Sequence, residues 1–369
     1  MLTSDLFNDT HAVPIRITNS CADTIWPAVA TQHGRGPGLG GFELGGGKTR
    51  DFNVSFDWQG RVWGRTNCTF NANDTGPADP SRGSAAGPGT ACATGDCFGV
   101  RDCAGGGQVP STLAEFTLQG GVGGKQTFYD ISLVDGYNLP VGIVYIPAPN
   151  TTFIPPNLVN PSCIATDGWL APPSRIGATY TNRSYPMPYE PRQDNAAVGR
   201  WCPWPLQRFP PAKPGDGVYP YPDDGVERPP FNPCMSACVA TNSDEDCCRG
   251  SHNDPNVCRG GLYAANAKRV CPDAYSFAYD DQTSTFIIPS GGGWEVVFCP
   301  AGRSTNILST FGTQMQHLAA SGNLTRQMLE DVASEDYIRS HSSAAVRGGH
   351  VSLRALAAFT LGLGLLTAL

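Results

Sequence analysis

Charge is scarce in this 369-residue chain: Asp, Glu, Lys and Arg make up 15% of it, with a net charge of −7. No run of Lys or Arg could neutralise a phosphate backbone, which excludes nucleic acid as a partner. The six histidines (His11, His33, His252, His317, His341, His350) form no HExxH pattern, and no Gly-x-Ser-x-Gly elbow occurs. The glycine-rich stretch from Gly34 to Gly47 reads as turns, because GGGKT at 45–49 lacks the spacing of a phosphate loop. Neither a metal nor a cofactor is called for. Long apolar runs are missing too: Ala355 to Leu369 is uncharged and apolar but shorter than the roughly 20 residues a spanning helix needs.

Glycine (44) and proline (32) are abundant, which favours turns and short strands over long helices and makes all-β architecture the expectation. The length allows one large core with satellites. Fourteen cysteines, in spacings such as Cys92/Cys97/Cys103 and Cys234/Cys238/Cys247/Cys248/Cys258, suit a disulfide framework in an oxidising compartment. Zinc held by Cys234 and Cys238, or by the Cys247-Cys248 pair, is the alternative. Sequons at Asn8, Asn53, Asn67, Asn73, Asn150, Asn182 and Asn323 support secretion.

Near the C-terminus, the small residues Ser342, Ser343, Ala344 and Ala345 precede a spacer through Arg354 and then the apolar run. That order matches a GPI-attachment signal cleaved near Ser343. A buried helix or a tail anchor are the alternatives, although Gly362 and Gly364 each weaken a helix by about 1 kcal/mol relative to Ala. Disulfides, glycans and such an anchor all require translocation. The first 21 residues contain Asp5 and Asp9 and no apolar leader core, so a leader is expected that they do not supply.

Strand periodicity marks 15–19, 24–30, 50–54, 61–65, 112–118, 127–134 and 141–146, a spacing that suggests a sandwich or barrel. From Pro147 to Pro233 the chain is too rich in proline for regular core and reads as insertions. Between Cys234 and Cys271 the cysteines are dense and periodicity disappears, as in a small lobe held by bridges. Segments 274–279, 285–289 and 294–299 return to strand composition, so this lobe is expected to be inserted in the sheet. The stretch 312–339 is helix-compatible and reads as a stalk.

Five ordered motifs, ITNSC at 17–21, GRVWGRTNC at 60–68, STLAEF at 111–116, FYDISLVDGYNLP at 128–140 and CPDAYSFAYDD at 271–281, resemble those of thaumatin-like proteins. The resemblance runs from about Pro14 to Pro300. It implies a mainly β fold, a thaumatin-like antiparallel β-sandwich with a small loop domain over 66–108 and an inserted disulfide-rich loop and helix lobe over 200–270. Residues 301–343 are then the stalk and 344–369 the attachment signal. The pairing it implies is Cys21 with Cys299, Cys68 with Cys92, Cys97 with Cys103, Cys163 with Cys271, Cys202 with Cys234, Cys238 with Cys247, and Cys248 with Cys258. The family carries one further bridge, which would join the segments near Asn160 and Ile287; both of its cysteines are absent here. The resemblance also implies an acidic cleft between sandwich and lobe, formed by Arg61, Glu115, Asp130, Asp135 and Asp280.

Alternation agrees with that placement. In TLAEFTL, Ala114, Phe116 and Leu118 share one face and Glu115 the other; in FYDISLV, Tyr129, Ile131 and Leu133 oppose Asp130 and Ser132. Two carboxyl groups of separated pKa can hydrolyse a glycosidic bond, with Glu115 as proton donor and Asp130 as base or nucleophile. The leading expectation is nevertheless a monomeric, extracellular β-glucan-binding protein that does not turn its ligand over. An endo-β-1,3-glucanase is the second reading and a structural surface protein with an idle cleft the third.

Overall fold

The computed structural model describes residues 12–342 apart from 82, 150, 172–183, 211, 214, 216 and 218–232. Ser343 and the sequon residues Asn8, Asn150 and Asn182 lie outside the described residues.

Among the described residues ten strands form two sheets: β1 (Ala12–Asn19), β2 (Ile25–His33), β3 (Thr49–Ser55), β4 (Gln59–Thr66), β5 (Leu113–Gly120), β6 (Gln126–Ser132), β7 (Val141–Ile146), β8 (Ser162–Cys163), β9 (Phe286–Pro289) and β10 (Gly293–Phe298). The first sheet runs β3-β1-β10-β7-β8 and the second β2-β4-β5-β6-β9. Every pairing is antiparallel except β1 with β10. Alternation decides which side faces in: Phe116 and Leu118 on β5 and Tyr129 and Ile131 on β6 are buried, as are Ile17, Ile143 and Val296 of the first sheet. Aromatic rings join the layers, with Trp294 of β10 centred 4.4 Å from Tyr129 and 5.5 Å from Phe116. Each such pair contributes about 0.5–1.5 kcal/mol beyond its buried area.

Seven disulfides tie the satellites to this core and leave no described cysteine free: Cys21–Cys299, Cys68–Cys92, Cys97–Cys103, Cys163–Cys271, Cys202–Cys234, Cys238–Cys247 and Cys248–Cys258. The loop region between β4 and β5 lies on the outer face of the second sheet, where Ala28, Trp63 and Leu113 pack with Cys97 and Cys103. Arg65, fully buried, clamps it by donating to the carbonyls of Trp26, Val100 and Arg101 at 2.9, 3.0 and 2.7 Å.

Short helices α1 (Pro156–Val159) and α2 (Asn195–Arg200) precede the lobe, which holds α3 (Ala237–Thr241) and α4 (Leu262–Val270). The lobe docks on the end of β6 through Tyr263, whose hydroxyl donates to the Leu133 carbonyl at 2.6 Å. The chain then returns toward the second sheet, though not as the strand expected over 274–279. That segment is loop, with one bridge between Tyr275 and Ser132. Two backbone hydrogen bonds at that bridge, Tyr275 N to Ile131 O and Leu133 N to Tyr275 O, both 2.8 Å, are not continued into a ladder.

The expected stalk is also corrected. Residues 307–342 form four helices, α5 (Ile307–Thr310), α6 (Gly312–Ser321), α7 (Arg326–Val332) and α8 (Glu335–Ser342). Phe311, Met315, Leu318, Val332 and Ile338 join the main core. Buried Asp273 caps α5 by accepting from Ile307 N at 2.8 Å and Leu308 N at 2.9 Å, and Gly322 ends α6 in the left-handed region at φ 75°. α6 lies along β9, the edge of the second sheet, where Gln126 Nε2 donates to the Ala319 carbonyl at 2.8 Å. Edges left open invite pairing with another chain, and this helix covers one. No described helix is long and apolar enough to cross a membrane.

Candidate ligand-binding cleft

The outward residues of the second sheet fall into rows across its strands. In the first row Ala28, Trp63, Leu113 and Ser132 are aligned and buried under the satellites. One pleat further on, Ala30, Arg61, Glu115 and Asp130 are aligned and half-buried. The third row, Gln59, Thr117, Phe128 and Ile287, is half-buried as well. The charged row therefore forms the floor of a groove between the loop domain and the lobe, with a half-exposed aromatic ring beside it.

Both walls reach that floor. On the loop-domain side Gly106 lies against the Arg61 guanidinium, where a Cβ would collide with Nη2. On the lobe side the turn after β6 brings Asp135 to 3.8 Å from Arg61 Nη1. Gly136 makes this turn possible: it sits at φ 94°, and a side chain there would strike the Cys234 carbonyl. Where the lobe meets the end of β6, a small pocket is lined by Val134, Ser236, Arg259, Tyr263 and Phe277.

Electrostatics divide these groups. Burial raises the Glu115 carboxyl from 4.5 to about 7, against the pull of Arg61 and with a further push from Asp135; the Ser132 hydroxyl partly offsets it by hydrogen bonding. Asp130 is raised well above its ordinary value, first by burial and then by Glu115 and Asp281. Its Oδ1 is sealed from solvent with no hydrogen-bond partner, an environment that favours the neutral acid. Glu115 and Asp130 stand directly opposite each other on β5 and β6 and titrate as a pair. Asp135 is raised by burial while Arg61 opposes the shift. At mildly acidic pH the floor presents protonated carboxyls, which donate hydrogen bonds, beside a fixed guanidinium.

Four of the five expected residues, Arg61, Glu115, Asp130 and Asp135, thus meet in one constellation. Asp280 does not share it: only 9% exposed, it is ion-paired to Lys268 Nζ at 3.2 Å and receives hydrogen bonds from Ser276. Sequence reasoning placed Ser132 on the outward face with Asp130 but missed Phe128, Gly106 and the Tyr275–Asp281 pair. Phe128 was readable, since it shares the outward alternation with Asp130. Gly106 and Asp281 give no signal without the positions of their spatial neighbours.

A two-sheet sandwich carrying a disulfide-bonded lobe and a charged groove is the architecture at hand. The model of the thaumatin family matches residues 19–300, and the chain belongs to that family. It is 35% identical over 291 residues to Pathogenesis-related protein 5 of Arabidopsis thaliana, covering 78% of this chain and 91% of that protein. With Thaumatin-like protein 1a of Malus domestica it shares 32% over 297 residues, 80% of this chain and 93% of the other. Among solved structures it is similar to the thaumatin-like xylanase inhibitor TLXI, with 33% identity, 35% of this chain and 74% of that one covered, and a TM-score of 0.26. Helices α5 to α8 lie beyond the matched span.

Proposed function

We propose that the protein binds a neutral cell-wall polysaccharide, a β-glucan, along the groove on the outer face of the second sheet. The observation that carries this reading is the in-register row Arg61, Glu115 and Asp130 with Asp135 beside it. Protonated Glu115 and Asp130 donate to sugar hydroxyls, Arg61 donates as a fixed fork, and Phe128 offers an apolar face to a pyranose ring. A monomer suffices, since every group named comes from one chain. The seven disulfides suit an oxidising compartment, and Asn53, Asn67, Asn73 and Asn323 are exposed and open to glycosylation, in keeping with an extracellular protein anchored through Ser343.

A weak endo-β-1,3-glucanase is the second reading, favoured by the raised carboxyl of Glu115, which makes it a proton donor near neutrality with Asp130 as base or nucleophile. Retention on insoluble β-1,3-glucan, measured beside reducing-sugar release from the soluble polymer, separates the two. Retention that falls at least tenfold in Glu115→Ala without sugar release supports the binder. Release abolished by Glu115→Gln supports the enzyme, and neither retention nor release sinks both.

A further inference from the structure

A sheet edge left open pairs with other chains, and among the described residues three of the four edges of this sandwich are closed. Loop residues 40–44 bridge to β2 at Ile25 and Ala28, and α6 lies along β9. The edge strand β8 is two residues long, and Thr305 N donates to its Ser162 carbonyl at 3.0 Å. The fourth edge is β3, seven residues long, whose one neighbour in the sheet is β1. Ser55 N donates to the Arg35 carbonyl at 2.9 Å, so the Ser55 backbone points away from β1 and the chain at Arg35 closes that end. Alternation along the strand turns the N–H and C=O of Asp51 and Asn53 the same way. Among the described residues no backbone hydrogen bond from another segment reaches either of them.

Side chains that could guard this edge are engaged elsewhere. Asp51 is paired to Arg16 at 2.7 Å, and the Arg50 guanidinium lies over the rings of Phe42 and Phe52, 4.7 and 5.3 Å from their centroids. The strand holds neither lysine nor proline. What it holds is a sequon, Asn53-Val54-Ser55. Val54 turns into the core and Asn53 out, exposed and opposite Pro14 of β1. Pro14 packs against Gly293 of β10, a flat strip on which a first sugar can lie. Of the exposed sequon residues Asn53, Asn67, Asn73 and Asn323, Asn53 alone stands in a strand.

Resting on the extracellular reading above, we propose that Asn53 carries an N-linked glycan and that this glycan caps the β3 edge, keeping the sandwich from pairing edge to edge with a second copy. The donor is a lipid-linked oligosaccharide pyrophosphate. Asn53 Nδ2 gives up one proton and bonds to C1 of the first sugar, while the C1–oxygen bond of the donor breaks and the lipid pyrophosphate leaves. In the folded protein the Ser55 hydroxyl is held by Arg35 N at 2.7 Å and Asp57 Oδ1 at 2.5 Å, so the sequon is used before this corner closes. Two β3 strands in contact would bring each Asn53 within one strand spacing, about 4.8 Å, of the partner backbone, where a glycan has no room.

The test starts from the full-length protein purified from the cells that make it. Trypsin releases residues 51–61, which contain no cysteine and a single sequon, so mass spectrometry reads Asn53 by itself. A glycosylated 51–61 peptide is expected. Asn53→Gln made in the same cells should keep its melting temperature and sediment as a concentration-dependent dimer, with amide exchange at positions 51 and 53 slowed about tenfold or more. Asn53→Lys, equally unglycosylated, should stay monomeric, because a lysine on an edge strand blocks pairing. Asn323→Gln should stay monomeric as well. An unmodified 51–61 peptide beside glycans at Asn67, Asn73 or Asn323 overturns the inference and leaves the extracellular reading standing. No glycan at any sequon defeats both. A monomeric Asn53→Gln, or a dimer that persists in Asn53→Lys, overturns the capping role.

Discussion

The disulfide lobe and the C-terminal helices are attached to the same sandwich by different physics. In the lobe, Cys202–Cys234, Cys238–Cys247, Cys248–Cys258 and Cys163–Cys271 act on a segment whose large side chains in the main core are chiefly Trp201, Tyr263 and Val270. Helices α5 to α8 contain no cysteine and hold by burial, with Phe311 and Val332 fully enclosed and Asp273 capping the first turn. Covalent closure acts mostly on the unfolded chain and leaves loops free to shape a groove wall; burial demands a fitted surface and yields a rigid layer. The groove lies against the lobe, and the edge strand β9 lies against the helices.

Phe311→Ala should break this comparison hardest. Removing a fully buried aromatic costs about 3–5 kcal/mol, read as a lower denaturation midpoint with the disulfides intact. The double change Cys163→Ser, Cys271→Ser opens a closure spanning 108 residues and should cost about 2–5 kcal/mol, exposing lobe amides to hydrogen exchange before those of α6. Asp273→Ala strands the buried Ile307 and the half-buried Leu308 amide hydrogens at the start of α5, a loss of about 1–3 kcal/mol felt by the helices and not by the lobe.

Between the two regions the floor of the groove responds with the opposite sign. The Glu115 carboxyl is raised to about 7, so its contribution to stability is intact below about 4.5 and is lost as pH rises toward 7 and beyond. Glu115→Gln, which cannot ionise, should therefore raise the melting temperature by a few degrees at pH 8, about 1–2 kcal/mol, and leave it nearly unchanged at pH 4. The smallest effect is expected from Thr325→Ala, which removes the cap of α7 at a cost of about 1 kcal/mol.

Much of the sandwich was legible because its strands alternate strictly. FYDISLV announces which residues turn inward, and the same alternation placed Glu115 and Asp130 on one face before any coordinates. Which strand lies beside which was not legible and came with the structure. Residues 274–279 read as a strand because all but Ser276 are apolar or aromatic; only Tyr275 pairs with β6, through a single bridge, and its hydroxyl bonds to Asp281 and Thr285, so no ladder forms to carry a period. The helical layer was seen as helix and misjudged as stalk, although Phe311, Met315 and Leu318 recur at the spacing of one helical face. Telling Asp280 from Asp281 required the position of Lys268, twelve residues earlier in the chain and on another element.

The Arg61–Glu115–Asp130 row is carried by three neighbouring strands and not by loops. Its repeat is the gap between hydrogen-bonded backbones, about 4.8 Å, which no side-chain replacement can stretch. Substitution can rewrite what each station offers, a donor, an acceptor or nothing, but the stations stay equally spaced. The charged row is thus a fixed ruler with exchangeable marks.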